Sequence, residues 1–168
     1  MHKKQLASHD YRIFKVHTVE LELNHQMGTF YQVDAPDWVT IIAETAGRFI
    51  VESQFRIGIE ADVLEFPGGV TLPGEDVIAA AVRELQEETG YSGDGQIIGA
   101  MHANPAFMTN RCTTVHIPEA RQTSTPSPEP FEHITIQLMT LREIEQAIAD
   151  GRFSNALHIA ALHQWLMH

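Results

Sequence analysis

The chain is short of cysteine, short of basic residues and free of long apolar runs, and each shortage excludes something. One cysteine, Cys112, cannot form an internal disulfide, which points to a cytoplasmic protein. Lys and Arg number 11 against 22 Asp and Glu, for a formal net charge of −11. That is the wrong sign for function through broad phosphate-backbone contact, so no nucleic-acid partner is expected. No stretch approaches the roughly 20 apolar residues of a membrane span, and the opening "MHKKQLASHD" has no apolar leader segment. What is present, 168 residues with 43% hydrophobic composition, suits one globular domain with a real core. A small phosphorylated substrate stays open, because a divalent cation can supply positive charge locally.

Strand signals come early and helix signals late. "YRIFKVHTVELEL" (11–23) and "TFYQV" (29–33) read as a strand pair joined at "NHQMG". "WVTIIAE" and "RFIVESQFR" flank "TAG", a tight hairpin, and "ADVLEF" ends at the turn signal "PGG". A helix is expected from about Asp76 to Thr89, with Gly90 as its stop. Three further strands, "GQIIGAMHA", "CTTVHIPEA" and "HITIQLMT", precede two closing helices, "LREIEQAIADG" and "NALHIAALHQWLM". The proline-rich "RQTSTPSPEPFE" between the last strands reads as an exposed loop. This order suggests a mixed sheet covered on both faces.

The helix holds the chemistry. At 100° per residue, Ile78, Ala81, Val82 and Leu85 share a face, while Glu84, Glu87 and Glu88 run along its border. Such like charges repel by ~0.2–0.5 kcal/mol per pair on an exposed helix. A solvated acidic face would tolerate that. Here Arg83 can orient the cluster, and "FPGG" can bring bare backbone close to a ligand. Hard cations such as Mg²⁺ bind carboxylates and carbonyls and take further oxygens from substrate phosphates.

Gly69, five residues, Glu75, seven residues, then Arg83, Glu84, Leu85, Gln86, Glu87, Glu88, Thr89, Gly90 and Tyr91 match the signature of the Nudix hydrolases, and the chain resembles that family. The resemblance implies an α/β/α sandwich with a mixed sheet, and hydrolysis of a nucleoside diphosphate linked to another group. It implies Glu84 and Glu88 as metal ligands, Glu87 as a further carboxylate, Arg83 as the orienting partner and Gly68 as a carbonyl ligand. Gly69 and Glu75 are structural on this reading. The expected cofactor is Mg²⁺, with Mn²⁺ as the alternative. A loop carboxylate is also implied: Glu132, just before "ITIQL", is the first choice for ligand or general base, and Glu129 the second.

"VESQFR" followed by "LEFPGG", and the later "NPAFMTNR", resemble the ADP-ribose pyrophosphatase branch. The substrate expected is therefore ADP-ribose or a nucleotide hexose, cleaved to a nucleoside monophosphate and a sugar phosphate. Nucleoside triphosphates and dinucleoside polyphosphates are the alternative substrates, and a non-cleaving nucleotide-sugar sensor is the alternative role. Candidate substrate contacts are Arg56, Trp38, Pro105, Phe107 and Arg111. Arg56 could grip a phosphate or pair with a neighbouring acid, and Trp38 and Phe107 could stack on a base or pack in the core. By the same resemblance residues 1–34 are a dimerisation segment, residues 35–168 the Nudix domain, and the protein a homodimer. Ten histidines raise a zinc site, but none shows ligand spacing with a third partner; His158, His163 and His168 lie five apart.

Overall fold

The structure, a computed structural model, describes residues 2–128 and 131–168. Three strands come first, β1 (Lys3–Asp10), β2 (Lys15–Leu23) and β3 (Gln26–Asp34), in an antiparallel sheet of their own. The sequence reading expected a pair. Residues 11–14 instead form the β1–β2 turn, with Arg12 at φ 71°, and β1 adds a third strand. Every residue of β1 is exposed, so there was no buried face to impose a period of two; backbone pairing with β2 holds it, with Lys3 donating to Gln32 of β3 at 2.9 Å and Asp10 paired with Lys15.

The remaining strands are β4 (Trp38–Thr45), β5 (Arg48–Arg56), β6 (Ala61–Glu65), β7 (Gly68–Val70), β8 (Tyr91–Ser92), β9 (Gln96–His102), β10 (Arg111–Ile117), β11 (Arg121–Gln122) and β12 (Ile134–Met139). Helices are α1 (Val77–Thr89), α2 (Leu141–Ala149) and α3 (Ala156–Leu166). The main sheet runs β12-β5-β4-β10-β9, with β6 beside β5 and β7 beside β4. It is mixed, because β10 runs parallel to β4 while its other ladders are antiparallel. Ala46 and Gly47, at φ 49° and 72°, close the β4–β5 hairpin; two left-handed residues match the twist of paired strands.

Each face of the sheet has its own core. Ile41, Ile50, Val115 and Ile117 pack on Ala81 and Leu85 of α1. On the other face Ile42, Val51 and Phe66 pack on Ile144 of α2, Leu162 of α3 and Phe153 between the two helices. The layers are helix, sheet, helix. Full burial of a side chain such as Leu85 or Phe66 stabilises this arrangement by ~1.5–3 kcal/mol.

One irregularity makes room for a site. β4 and β5 pair only at Glu44↔Phe49 and Thr45↔Arg48; beyond that β6 takes the edge of β5 and β7 takes the edge of β4. The sheet opens, and the start of the opening lies against the C-terminal half of α1. That helix is fixed at both ends. Asp76 accepts the N–H groups of Ile78 and Ala79 at 3.0 Å, and Gly90 takes φ 77° while donating to Gln86 O.

Candidate active site

The opening contains a cleft of about 610 Å³. It brings together most of the residues singled out from the sequence: Trp38 and Arg56, Gly68, Arg83, Glu84, Glu87, Glu88 and Glu132 all line it. Pro105, Phe107 and Arg111 do not. Their loop pairs with the end of β3 instead: Val33 N–H donates to Phe107 O at 2.8 Å, and Thr109 N–H to Val33 O at 3.0 Å. Pro105, Phe107 and Arg111 are exposed there, and Arg111 donates its backbone N–H to Asp37. Glu129 lies outside the described residues.

Arg83 organises the helix carboxylates. Its Nε and Nη2 bind the two oxygens of Glu75 at 2.9 and 3.0 Å, and Nη1 reaches Glu84 at 2.8 Å and Glu87 at 3.1 Å. Nη2 also donates to Val70 O. A planar fork can serve all these acceptors at once, which an ammonium could not. Arg83 holds the Glu75 carboxyl well below the usual carboxylate range. Gly69 lies against this cluster, since a β-carbon there would stand 2.5 Å from the Glu84 carboxyl carbon.

Glu88 differs from the border position expected of it. Only 4% exposed, it continues the buried row Ala81, Leu85, Glu88 and points inward. Its Oε2 accepts the Gly68 N–H at 3.0 Å. Gly68 thus presents its amide to this carboxylate, whereas the expected role was for its carbonyl. Burial pushes the Glu88 carboxyl far above its usual range, and the negative neighbours Glu52, Glu84 and Glu132 push the same way. Burial raises Glu84 as well.

Three residues in and around the site, Glu52, Gln54 and Glu65, were not singled out from the sequence, and His158 was weighed there only for zinc; of the four, Gln54 and His158 line the cleft. Glu52 is completely buried and neither carboxylate oxygen has a hydrogen-bond partner; burial again raises it, opposed by Arg56. Gln54, two residues on, has an unpartnered Oε1. Glu65 accepts Nε and Nη2 of Arg56 at 2.9 and 2.7 Å and Asn155 Nδ2 at 3.2 Å. His158 accepts the Phe66 N–H on Nδ1 at 3.0 Å. A signal did exist: Glu52, Gln54 and Arg56 place polar groups at period two in the second half of β5, after the apolar run Phe49, Ile50 and Val51. Of the two roles open to Arg56, the acid pair is formed, with Nη1 outside it.

These donors suit a hard cation. Buried carboxylate oxygens without N–H or O–H partners are costly as anions unless positive charge compensates them. Among the described residues no three His, Cys, Asp or Glu side chains form a ready-made cage.

The proline-rich segment is tied to the same helix. Thr123 and Ser124 donate backbone N–H groups to Gly90 O at 2.9 and 3.1 Å, and Ser127 donates to Glu87 O at 2.7 Å. The Glu87 carbonyl near the end of α1 and the Gly90 carbonyl at its cap are thereby satisfied, and Glu132 further along lines the cleft. Cys112 is buried in β10 beside Thr40 and also borders the cleft.

Comparisons with known proteins bear on the family and the fold. A family model described as NUDIX domain matches residues 35–161. The ADP compounds hydrolase NudE of Escherichia coli (strain K12) is 26% identical over 164 residues, 92% of this chain and 87% of that protein. The ADP-ribose pyrophosphatase of Bacillus subtilis (strain 168) is 38% identical over 77 residues, 45% of this chain and 42% of its own length. The ADP-sugar pyrophosphatase of Mus musculus is 42% identical over 66 residues, 39% of this chain and 29% of its own. A crystal structure of an ADP compounds hydrolase superposes with a TM-score of 0.85 at 24% identity, over 99% of this chain and 94% of that one.

Proposed function

This chain belongs to the NUDIX domain family, and we propose that it is a hydrolase of phosphorus anhydrides that cleaves the pyrophosphate bond of a nucleoside diphosphate sugar. The substrate class is an ADP-sugar such as ADP-ribose, or a nucleotide hexose; the products are a nucleoside monophosphate and a sugar phosphate. One observation carries the reading above all: the inward-facing Glu88 stands with the Arg83-bound Glu84 on the wall of a cleft of nucleotide size. The names of the relatives supply the substrate class.

Glu84 and Glu88 are the residues we assign to hold Mg²⁺ or Mn²⁺, with Glu87 beside them. Once bound, the cation neutralises diphosphate charge and lowers the pKa of a water. The protein's own groups do the rest. Arg83 keeps Glu84 and Glu87 in one orientation. Half-buried Glu132, which lines the same cleft, is our candidate to accept the proton of the attacking water. Arg56, anchored through Nε and Nη2, can present its remaining donor to a phosphate. Trp38 offers a half-buried ring for stacking.

Residues 1–34 are assigned a separate role, joining two copies. Their sheet exposes Leu6, Tyr11, Ile13, Met27, Phe30 and Tyr31, more apolar surface than an isolated three-stranded sheet needs to leave in water. A kcat/KM comparison of ADP-ribose, nucleotide hexoses and nucleoside triphosphates with Mg²⁺ tests the substrate class. Sugar-capped diphosphates should lead; preference for triphosphates, with release of inorganic pyrophosphate, would refute it.

A further inference from the structure

Among the described residues, Glu52 is the one carboxylate with both oxygens buried and unpartnered. It is completely buried in the middle of β5, and neither oxygen has a hydrogen-bond partner. Gln54, 6% exposed, adds a third acceptor oxygen without a donor. The two residues are i and i+2, so they share a strand face. That face is identified by Ile50, which packs with Ala81 and Leu85 of α1. Glu88 extends the same row of α1 by one turn, so Glu52 and Glu88 lie on surfaces that face each other.

The flanking strands offer no donor. Opposite Glu52 on β6 stands Glu65, committed to Arg56 and Asn155, and opposite it on β12 stands Ile136. Arg56, further along the face, spends Nε and Nη2 on Glu65. With Glu52 ionised, its two oxygens and the Gln54 carbonyl oxygen set three acceptors side by side, which would repel an anion. They match a hard divalent cation, which binds carboxylate and amide carbonyl oxygens alike.

We propose that Glu52, with the Gln54 side-chain carbonyl beside it, forms a second wall of cation ligands facing Glu88, so that the cleft holds a divalent ion between β5 and α1 rather than on the helix carboxylates alone. This rests on the reading of the cleft as a cation site. It adds ligands from a strand outside the Gly69–Tyr91 signature. The competing account is a neutral, purely structural Glu52.

Mn²⁺ binding to the full-length protein without substrate, followed by calorimetry and by the loss of the free-ion electron paramagnetic resonance signal, separates the two. Glu52→Gln should bind Mn²⁺ at least about tenfold more weakly than wild type, while its melting temperature without metal stays equal or rises, because an uncompensated buried carboxylate has gone. Wild-type affinity in Glu52→Gln would overturn the Glu52 assignment and leave the cation site standing. Absence of Mn²⁺ binding by the wild type would overturn the cation site and this proposal together. Should Glu52→Gln not fold, Mn²⁺-soaked wild-type crystals decide the matter by anomalous scattering. A peak bonded to a Glu52 oxygen supports the proposal, and a peak bonded only to Glu84 or Glu88 overturns it.

Discussion

Gly69 and Glu84 occupy adjoining space so closely that a β-carbon on the glycine would lie 2.5 Å from the glutamate's carboxyl carbon. Real contacts of that kind do not occur, so in Gly69→Ala the carboxylate must swing away. The displaced group is the end of a flexible side chain, and stability should change little. Catalysis should not be spared, because misplacing a reacting group by about 1 Å can cost ~10² in rate. The expected result is an unchanged melting temperature with kcat reduced by ~10²; unchanged kcat would separate Glu84 from the chemistry.

Arg83 contacts Glu75, Glu84, Glu87 and Val70 O through one planar group. Lysine keeps the charge but cannot span those acceptors. Arg83→Lys should therefore lose about tenfold or more in both kcat/KM and Mn²⁺ affinity. Its melting temperature should shift little, since partly exposed ion pairs contribute ~0–1 kcal/mol. Parallel kinetics and calorimetry check whether the two losses travel together.

His158 gives a pH dependence independent of the carboxylates on α1. Burial lowers its pKa to about 4, and Nδ1 accepts the Phe66 N–H, so the ring is neutral with its proton on Nε2. A depressed value means that the unfolded chain binds the proton more tightly. The contribution is complete above the unfolded pKa near 6.5 and is lost as pH falls towards 4. The His158 share of stability should be about 2 kcal/mol smaller at pH 5 than at pH 7. The raised carboxyls of Glu52, Glu84 and Glu88 act in the opposite sense, so the share is read as the difference between wild type and His158→Gln, which retains an acceptor for Phe66 N–H. The variant should gain on wild type by about 2 kcal/mol between pH 7 and pH 5; parallel profiles would assign no such share to His158.

Much of this architecture was legible in the chain. The α1 boundaries follow from Asp76 and Gly90, whose side-chain and left-handed caps act locally. The β4–β5 turn follows from Ala46 and Gly47 for the same reason. Non-local facts were less legible. Glu52 and Glu65 become neighbours only because β6 displaces β4 from the edge of β5. Phe107 and Arg111 leave the cleft because their loop finds Val33 and Asp37, more than 70 residues away. Strand β1, exposed throughout, carries no burial pattern at all.

Assembly has its own check. The N-terminal sheet should hold two copies together, so the full-length protein should sediment as a dimer at micromolar concentration. Removing residues 1–34 should yield a monomer with weakened nucleotide affinity, while the α1 carboxylates still bind Mn²⁺. A full-length monomer with normal turnover would contradict the role given to that sheet.

The central claim is that the inward-facing Glu88 serves metal-dependent cleavage of a sugar-capped diphosphate. It is tested most directly by separating the products of ADP-ribose hydrolysis by wild type and Glu88→Gln, with Mg²⁺ and with a chelator. The account predicts AMP and ribose 5-phosphate from the wild type with Mg²⁺ and no turnover with the chelator. It predicts turnover at least ~10² slower in folded Glu88→Gln, the scale of losing one key electrostatic group. Intact ADP-ribose in every reaction, or near wild-type turnover by the folded variant, would contradict it.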